Sequence, residues 1–159
     1  MMTTTAPENI QLKLERLIKA PRERVFQAWT DPEQIKQWFV PGEKVGDVTT
    51  PSAKCDPRVG GMYRIQTRKS DGEYFTAAGT YREVQPPSRL VFTWAWEKDG
   101  SEPDFGELEP DETLVTIDFL ERGNDTLLIF THERFASVES RDRHLEGWTR
   151  ILDGFQKHF

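Results

Sequence analysis

The chain has 159 residues, of which 36% are hydrophobic, 11% aromatic and 30% charged, and its formal net charge is −6. This length fits one domain that buries about 70% of its unfolded surface, and no apolar run is long enough for a transmembrane helix. The single cysteine, Cys55, excludes an internal disulfide and a thiolate metal site. Residues 1–7 lack the features of a signal peptide, so we expect a cytoplasmic protein.

The negative charge is concentrated in one segment. Residues 97–112 (EKDGSEPDFGELEPDE) hold eight acidic residues and one lysine, which leaves 19 acidic and 20 basic residues elsewhere. Because the chain has no basic stripe, we do not expect nucleic acid as a partner. The carboxylates lack the spacing of a calcium loop, so we interpret the segment as a solvated loop between strands.

The first predicted elements are a strand and a short helix. Residues 10–18 alternate apolar and mostly polar side chains, which is typical of a strand. Pro21 suits the first position of a helix, where a missing N–H costs nothing. Val25, Phe26 and Trp29 provide the apolar face of that helix.

A second short helix follows directly. Asp31 can cap it, Pro32 suits its first position, and Gln34 can complete a capping box. Residues 35–39 continue with apolar side chains at helical spacing, and the Pro41 that follows ends the segment.

The middle of the chain consists of short alternating segments that predict antiparallel strands. Residues 70–72 and 123–124 are typical of hairpin turns, whereas the segment 45–57 is a weaker strand because Pro51 interrupts it. Gly79 lies inside a strand and indicates close packing or curvature. The predicted strands are 45–57, 62–68, 74–84, 89–97, 113–121 and 126–135.

Residues 137–159 predict one long amphipathic helix. Gly147 and Gly154 share one side of it, which we interpret as close backbone approach to another element, with room for a ligand as the alternative. Its continuous apolar stripe consists of Leu145, Trp148, Ile151, Leu152, Phe155 and Phe159.

Together these elements predict an α+β helix-grip fold. A curved antiparallel sheet of six or seven strands wraps around the C-terminal helix, and two short helices follow the first strand. We expect residues 9–159 to form this single domain and residues 1–8 to be a flexible N-terminus. A straight helix on a curved sheet leaves a gap, and that gap is the candidate ligand pocket.

Several runs of residues also resemble a known family, the activator of heat-shock protein 90 ATPase homologue-like proteins of the START and polyketide-cyclase (SRPBCC) superfamily. The resemblance covers about residues 9–159. It is carried by Ala20-Pro21 with Val25-Phe26 and Ala28-Trp29-Thr30-Asp31-Pro32, by Trp38-Phe39, Gly60-Gly61 and Gly79-Thr80-Tyr81, and by Pro86-Pro87, Arg89-Leu90-Val91-Phe92-Thr93-Trp94 and Gly147-Trp148.

This resemblance implies the helix-grip fold but several functions, because the superfamily includes lipid carriers, cyclases, allergens and chaperone partners. The family name implies a stress-response role and contact with a chaperone. However, the eukaryotic activator has two domains, and this chain resembles only its C-terminal module. That difference argues against direct chaperone activation.

Ten residues are predicted to line the pocket and contact a ligand. Most are aromatic, and their Tyr and Trp members combine apolar area with one polar tip. They are Trp38, Tyr63, Tyr81, Phe92, Trp94, Trp96, His144, Trp148, Ile151 and Phe155.

Three polar side chains near the pocket allow two interpretations each. Arg141 and His144 lie near the apolar stripe of the last helix. They can bind the polar end of a ligand, or they can pair with strand carboxylates or reach solvent. For Arg141 we favour pairing or solvent contact over ligand binding. Arg64 alternates with apolar neighbours and is placed on the solvent face, whereas the reverse register would bring it into the cavity.

No pattern indicates catalysis, a metal or a cofactor. The three histidines, His132, His144 and His158, lack the spacing of a zinc motif. No nucleophile-elbow motif is present, and we interpret Cys55 as a passive residue.

The sequence therefore favours a module that binds a small hydrophobic or lipid-like molecule without covalent catalysis. A cyclase or hydrolase acting on a hydrophobic substrate, and a co-chaperone-like interaction module, are the alternatives. No segment demands an oligomer, so both a monomer and a homodimer remain open.

Overall fold

The computed structural model describes residues 9–39, 48–69, 71–97 and 112–159. It confirms the predicted order of a strand, two short helices, further strands and a long helix. The elements are β1 (Leu12–Ile18), α1 (Arg22–Thr30), α2 (Pro32–Trp38), β2 (Val48–Cys55), β3 (Met62–Lys69), β4 (Tyr74–Gln85), β5 (Arg89–Trp96), β6 (Thr113–Arg122), β7 (Asp125–Glu133) and α3 (Val138–Lys157).

The strands form one seven-stranded antiparallel sheet in the order β1-β7-β6-β5-β4-β3-β2. The predicted α+β helix-grip fold is therefore confirmed. β2 lies at one edge, and its pairing with β3 shifts between Thr49 and Ser52. This explains how a strand accommodates Pro51, since an edge strand tolerates a residue that donates no ladder hydrogen bond.

The sheet has an inner face that packs against α3 and an outer face. Phe92 of β5 lies opposite Val115 of β6, which lies opposite His132 of β7, so these three side chains share the inner face. Phe130, two residues before His132, lies with its ring centroid 4.4 Å from that of Trp148 in α3. The core thus lies between this face and the helix.

The helix α3 begins at a side-chain cap. Ser137 is the N-cap, and its hydroxyl accepts a hydrogen bond from the Ser140 N–H at 3.1 Å. The predicted apolar stripe is confirmed. Its members Trp148, Ile151, Leu152 and Phe155 are buried, and Leu145 and Phe159 are partly buried against the core.

Asp31 joins the two short helices and serves both. Its side chain caps α2 by accepting from the Glu33 N–H at 3.0 Å, as predicted. Its backbone N–H is already bonded to the Gln27 carbonyl at the end of α1. The Gln34 amide therefore donates to the Asp31 carboxylate at 3.2 Å instead of completing a capping box with that N–H.

Of the three glycines that the sequence places inside β4 and α3, one packs closely and two do not. A Cβ on Gly79 would lie 2.0 Å from the Thr93 carbonyl oxygen, which confirms the predicted close approach. A Cβ on Gly147 would meet nothing within 4 Å, and one on Gly154 would make an ordinary 3.8 Å contact with the Trp38 carbonyl oxygen. The interpretation of close backbone approach is therefore wrong for Gly147 and Gly154.

The placement of Arg64 on the solvent face is also wrong, although its strand register is as predicted. Tyr63 faces the inner side, and Arg64 faces the outer side, where it is only 1% exposed. Its Nε donates to the Glu97 carboxylate at 2.7 Å, and both side chains are buried. The cross-strand neighbours Ala78 and Ala95 are small and buried, so a long side chain has space on this face.

Two predictions concern residues outside the described ranges. The flexible N-terminus, residues 1–8, and most of the acidic loop, residues 98–111, lie there. Within the described part of the chain, no helix has both the length and the apolar character needed to cross a membrane.

Candidate functional site

A cavity of about 20 Å³ lies between α2, α3 and the inner face of β3, β4 and β5. This volume is large enough for one water molecule, whereas pockets for small-molecule ligands measure about 300–1,000 Å³. The lining is almost entirely apolar. It comprises Trp29, Ile35, Trp38, Phe39, Tyr63, Ile65, Tyr81, Leu90, Phe92, Trp94 and Trp148.

Aromatic side chains from α1 and α2 fill most of the gap between the sheet and α3. The ring centroid of Trp38 lies 4.5 Å from that of Trp29 and 4.6 Å from that of Phe155 in α3. Phe39 contacts Trp148 with 6.0 Å between centroids. The cavity is therefore much smaller than a straight helix on a curved sheet predicts, because the short helices also cover the sheet.

The structure brings six of the ten predicted site residues together at this cavity: Trp38, Tyr63, Tyr81, Phe92, Trp94 and Trp148. Ile151 and Phe155 are buried in the core but do not line the cavity. Trp96 and His144 contact each other near the N-terminal end of α3, and Trp96 is 37% exposed. Ligand contact by all ten residues stays a prediction.

Five residues of the lining are not among the predicted site residues: Trp29, Ile35, Phe39, Ile65 and Leu90. Trp29, Ile35 and Phe39 were assigned to the apolar faces of the short helices, without a position in the cavity. Ile65 and Leu90 could have been predicted from the sequence. Each lies two residues from a predicted site residue, Tyr63 or Phe92, and therefore on the same face of its strand.

The two tyrosine hydroxyls at the cavity already have partners. Tyr63 donates to the backbone carbonyl of Thr93, and a side-chain hydrogen bond joins Tyr81 to Cys55. Burial raises the pKa of both tyrosines, so both are neutral near neutral pH. Burial also raises the pKa of the Cys55 thiol to about 11.

A chain of hydrogen bonds runs beside the cavity from α3 into the sheet. The imidazole Nδ1 of the fully buried His132 accepts from the indole N–H of Trp148 at 3.0 Å. Its Nε2 therefore carries the proton and donates to Thr113 Oγ1 at 2.6 Å, and Thr113 Oγ1 donates to the Trp94 carbonyl at 3.0 Å. Burial, reinforced by the nearby His144, lowers the pKa of His132 to about 2.

His144 forms a second link between α3 and the sheet. Its Nε2 accepts from the indole N–H of Trp96 at 3.1 Å, and its Nδ1–H donates to the Ser140 carbonyl at 2.7 Å. Burial lowers the pKa of His144, and the hydrogen bond to Ser140 opposes that shift. Arg141 donates to the carboxylate of Asp142, the next residue in its own helix, at 2.8 Å and to the Gln11 carbonyl at 3.3 Å.

Acidic and metal-binding groups do not converge at this site in the described ranges. The lining contains no charged side chain, and no cluster of three or more His, Cys, Asp or Glu residues in these ranges could hold a metal ion. The two histidines nearest the cavity use both ring nitrogens in hydrogen bonds.

Residues 19–159 match the family described as Activator of Hsp90 ATPase homolog 1-like protein. The chain belongs to this family. The resemblance found in the sequence is thereby confirmed. No curated protein sequence gives a match.

Solved structures of similar proteins share the fold of this chain. The AHSA1 protein from Silicibacter pomeroyi is 25% identical with a TM-score of 0.77, covering 94% of this chain and 96% of that one. The AHSA1-like protein from Aeromonas hydrophila is 25% identical with a TM-score of 0.74, covering 93% and 90%. A protein from Chromobacterium violaceum is 23% identical with a TM-score of 0.75, covering 92% and 94%.

Proposed function

We propose that this protein binds a small hydrophobic molecule between the sheet and α3, without covalent catalysis. The observation that carries the proposal is the lining of the cavity, in which aromatic and aliphatic side chains from three helices and three strands converge. Proteins with the family's fold often bind hydrophobic ligands. An apolar ligand gains about 25 cal/mol for each Å² of its surface that is removed from water.

A ligand larger than one water molecule has to displace side chains. The best candidates are Trp38 and Phe39, because both lie at the end of α2, a helix of only seven residues. So short a helix depends on tertiary packing for its stability. Movement of these two rings away from Trp29 and Trp148 would open the space between α2 and α3.

The chemistry of the lining supports binding rather than a cyclase or hydrolase reaction. Its two tyrosines are neutral near neutral pH, since the ordinary tyrosine pKa of about 10 lies well above 7 and burial raises the pKa of both further. The nearby His132 has a pKa lowered to about 2 and donates or accepts through both nitrogens. None of these groups is placed as a general acid or base with a pKa near neutral pH.

The proposal is tested by measuring thermal unfolding in the presence of naphthalene derivatives and by native mass spectrometry of the protein as purified. A ligand at 100 times its dissociation constant should stabilise the native state by about 2.7 kcal/mol. In the variant Leu90→Phe, a larger side chain in the lining should weaken binding.

The matched control is Leu114→Phe, the same substitution on the neighbouring strand β6. Leu114 lies opposite Thr93, on the outer face of the sheet. The Leu114→Phe variant should bind the naphthalene derivatives as tightly as the wild type does. The proposal fails if no hydrophobic compound stabilises the wild type, or if Leu90→Phe binds as tightly as Leu114→Phe.

A further inference from the structure

Most polar side-chain atoms of the cavity lining are committed to hydrogen bonds within the protein. The indole N–H of Trp38 donates to the Ala28 carbonyl at 2.8 Å, and that of Trp148 donates to His132. The hydroxyls of Tyr63 and Tyr81 also have partners. These four side chains offer a ligand apolar surface and no free donor.

Two indole N–H groups of the lining are different. The Nε1 atoms of Trp29 and Trp94 are buried and have no hydrogen-bond partner, and the two residues are only 6% and 3% exposed. Both rings contact Trp148, with centroid distances of 6.5 Å for Trp29 and 4.9 Å for Trp94. Buried donors are nearly always paired, so two orphans in one lining are an unusual feature.

In the described ranges, the only other buried side-chain atom without a partner is Nε of Arg22. Arg22 lies outside the cavity, and another nitrogen of its guanidinium pairs with Glu121 at 3.4 Å. Among the described residues, the unpaired buried donors are thus concentrated where the ligand is proposed to bind.

An indole N–H can only donate a hydrogen bond, so the group that satisfies it must be an acceptor. The lining contains no charged side chain that could compensate an ionised ligand, and a buried charge without a partner is strongly unfavourable. A ligand with its own donors would find few acceptors, because an indole accepts no hydrogen bond and the hydroxyl oxygens of Tyr63 and Tyr81 are the only acceptor atoms among the lining side chains.

We infer that the ligand is an uncharged, otherwise apolar molecule with at least one acceptor oxygen, such as the carbonyl of a ketone, ester or quinone. The inference rests on the proposed function and specifies its ligand class. The carbonyl oxygen accepts from Trp29 or Trp94, while the hydrocarbon part packs against Trp148 and the neighbouring rings.

Three probes on one ring system test this inference: 2-acetylnaphthalene, 2-isopropylnaphthalene and 2-naphthoate. The first two have nearly the same shape and differ in the carbonyl oxygen. Their dissociation constants are measured for the wild type, Trp29→Phe, Trp94→Phe and the control Leu114→Phe. The control changes a side chain opposite Thr93 on the outer face of the sheet, which does not line the cavity.

The decisive quantity is the ratio of the affinity for the ketone to the affinity for the hydrocarbon. The two probes differ in hydration, but this difference is the same for every protein, so it cancels when the ratio of a variant is compared with that of the wild type. The ratio should fall about tenfold, equivalent to about 1.4 kcal/mol, in Trp29→Phe or Trp94→Phe. The ratio should stay unchanged in Leu114→Phe, and 2-naphthoate should bind at least tenfold more weakly than the ketone.

A second measurement needs only the folded wild-type protein. The chain has five tryptophans, and their indole N–H signals can be followed by NMR. The ketone, but not the hydrocarbon, should shift the signal of Trp29 or Trp94 in the direction of a new hydrogen bond.

The outcomes separate the two proposals. If none of the probes binds the wild type, the proposed function fails and the inference fails with it. If the hydrocarbon binds but the ratio is the same in all four proteins, or if neither indole signal responds to the ketone, the inference alone is overturned. A single ordered water molecule bonded to the indoles in the complex would give that second result.

Discussion

Lowering the pH should destabilise this protein through His132. The imidazole is fully buried and neutral, with both nitrogens in hydrogen bonds to Trp148 and Thr113. Its pKa is lowered from 6.5 to about 2. The unfolded chain therefore binds a proton below pH 6.5 that the native state does not bind, so stability is present above that pH and is lost as the pH falls towards 2.

The magnitude follows from these two pKa values. Between pH 7 and pH 5 the unfolded histidine becomes almost fully protonated while the native one stays neutral, which costs about 2 kcal/mol of unfolding free energy. The pKa of His144 is also lowered by burial, so its contribution has the same sign.

The assay is urea unfolding at pH 7, 6 and 5 for the wild type and His132→Gln. Glutamine does not titrate, and its amide keeps one donor and one acceptor. The wild type should lose about 2 kcal/mol more than the variant over this range. His158→Gln, at an exposed position after α3, controls for loss of a histidine as such. Equal losses of unfolding free energy in the wild type and His132→Gln would refute the inference that the His132 imidazole stays neutral in the native state.

Four further predictions concern single positions. Gly147→Ala should raise the unfolding free energy by about 1 kcal/mol in urea titrations, since the added Cβ meets nothing within 4 Å; a decrease would contradict the open space. In the same assay Gly79→Ala should cost about 3 kcal/mol, because its Cβ would lie 2.0 Å from the Thr93 carbonyl oxygen; an unchanged midpoint would refute this contact. With a pKa raised to about 11, Cys55 should react with a chromogenic disulfide reagent about 100-fold more slowly in the native protein than in urea, and similar rates would show an accessible thiolate. Phe155→Ala should cost about 3–5 kcal/mol in urea titrations, since Phe155 is fully buried, and a loss below 1 kcal/mol would place it outside the core.

Local patterns were sufficient to predict the elements and their order. The stripe of α3, the cap at Asp31 and the alternation in β5 depend on residues within a few positions of one another, so they can be read from the sequence. The one feature of β2 that made it a weak prediction, Pro51, is explained by its position at the edge of the sheet.

The candidate site was only partly predictable, because it depends on contacts between distant parts of the chain. Strand alternation and helical periodicity indicated six residues of the lining. They could not indicate that Trp29 and Phe39 enter the same space from the short helices. Nor could they show which indoles find partners, since the acceptor of Trp148 lies on another element, in β7.

The sequence by itself determined that this protein is a curved antiparallel sheet gripping a C-terminal helix, because periodicity, caps and turns are local. Tertiary structure alone decided the size of the cavity, the burial of Arg64 with Glu97 and the neutral state of His132. Each of these depends on which side chains meet across strands and helices, and packing and desolvation act on those neighbours rather than on residues adjacent in the chain.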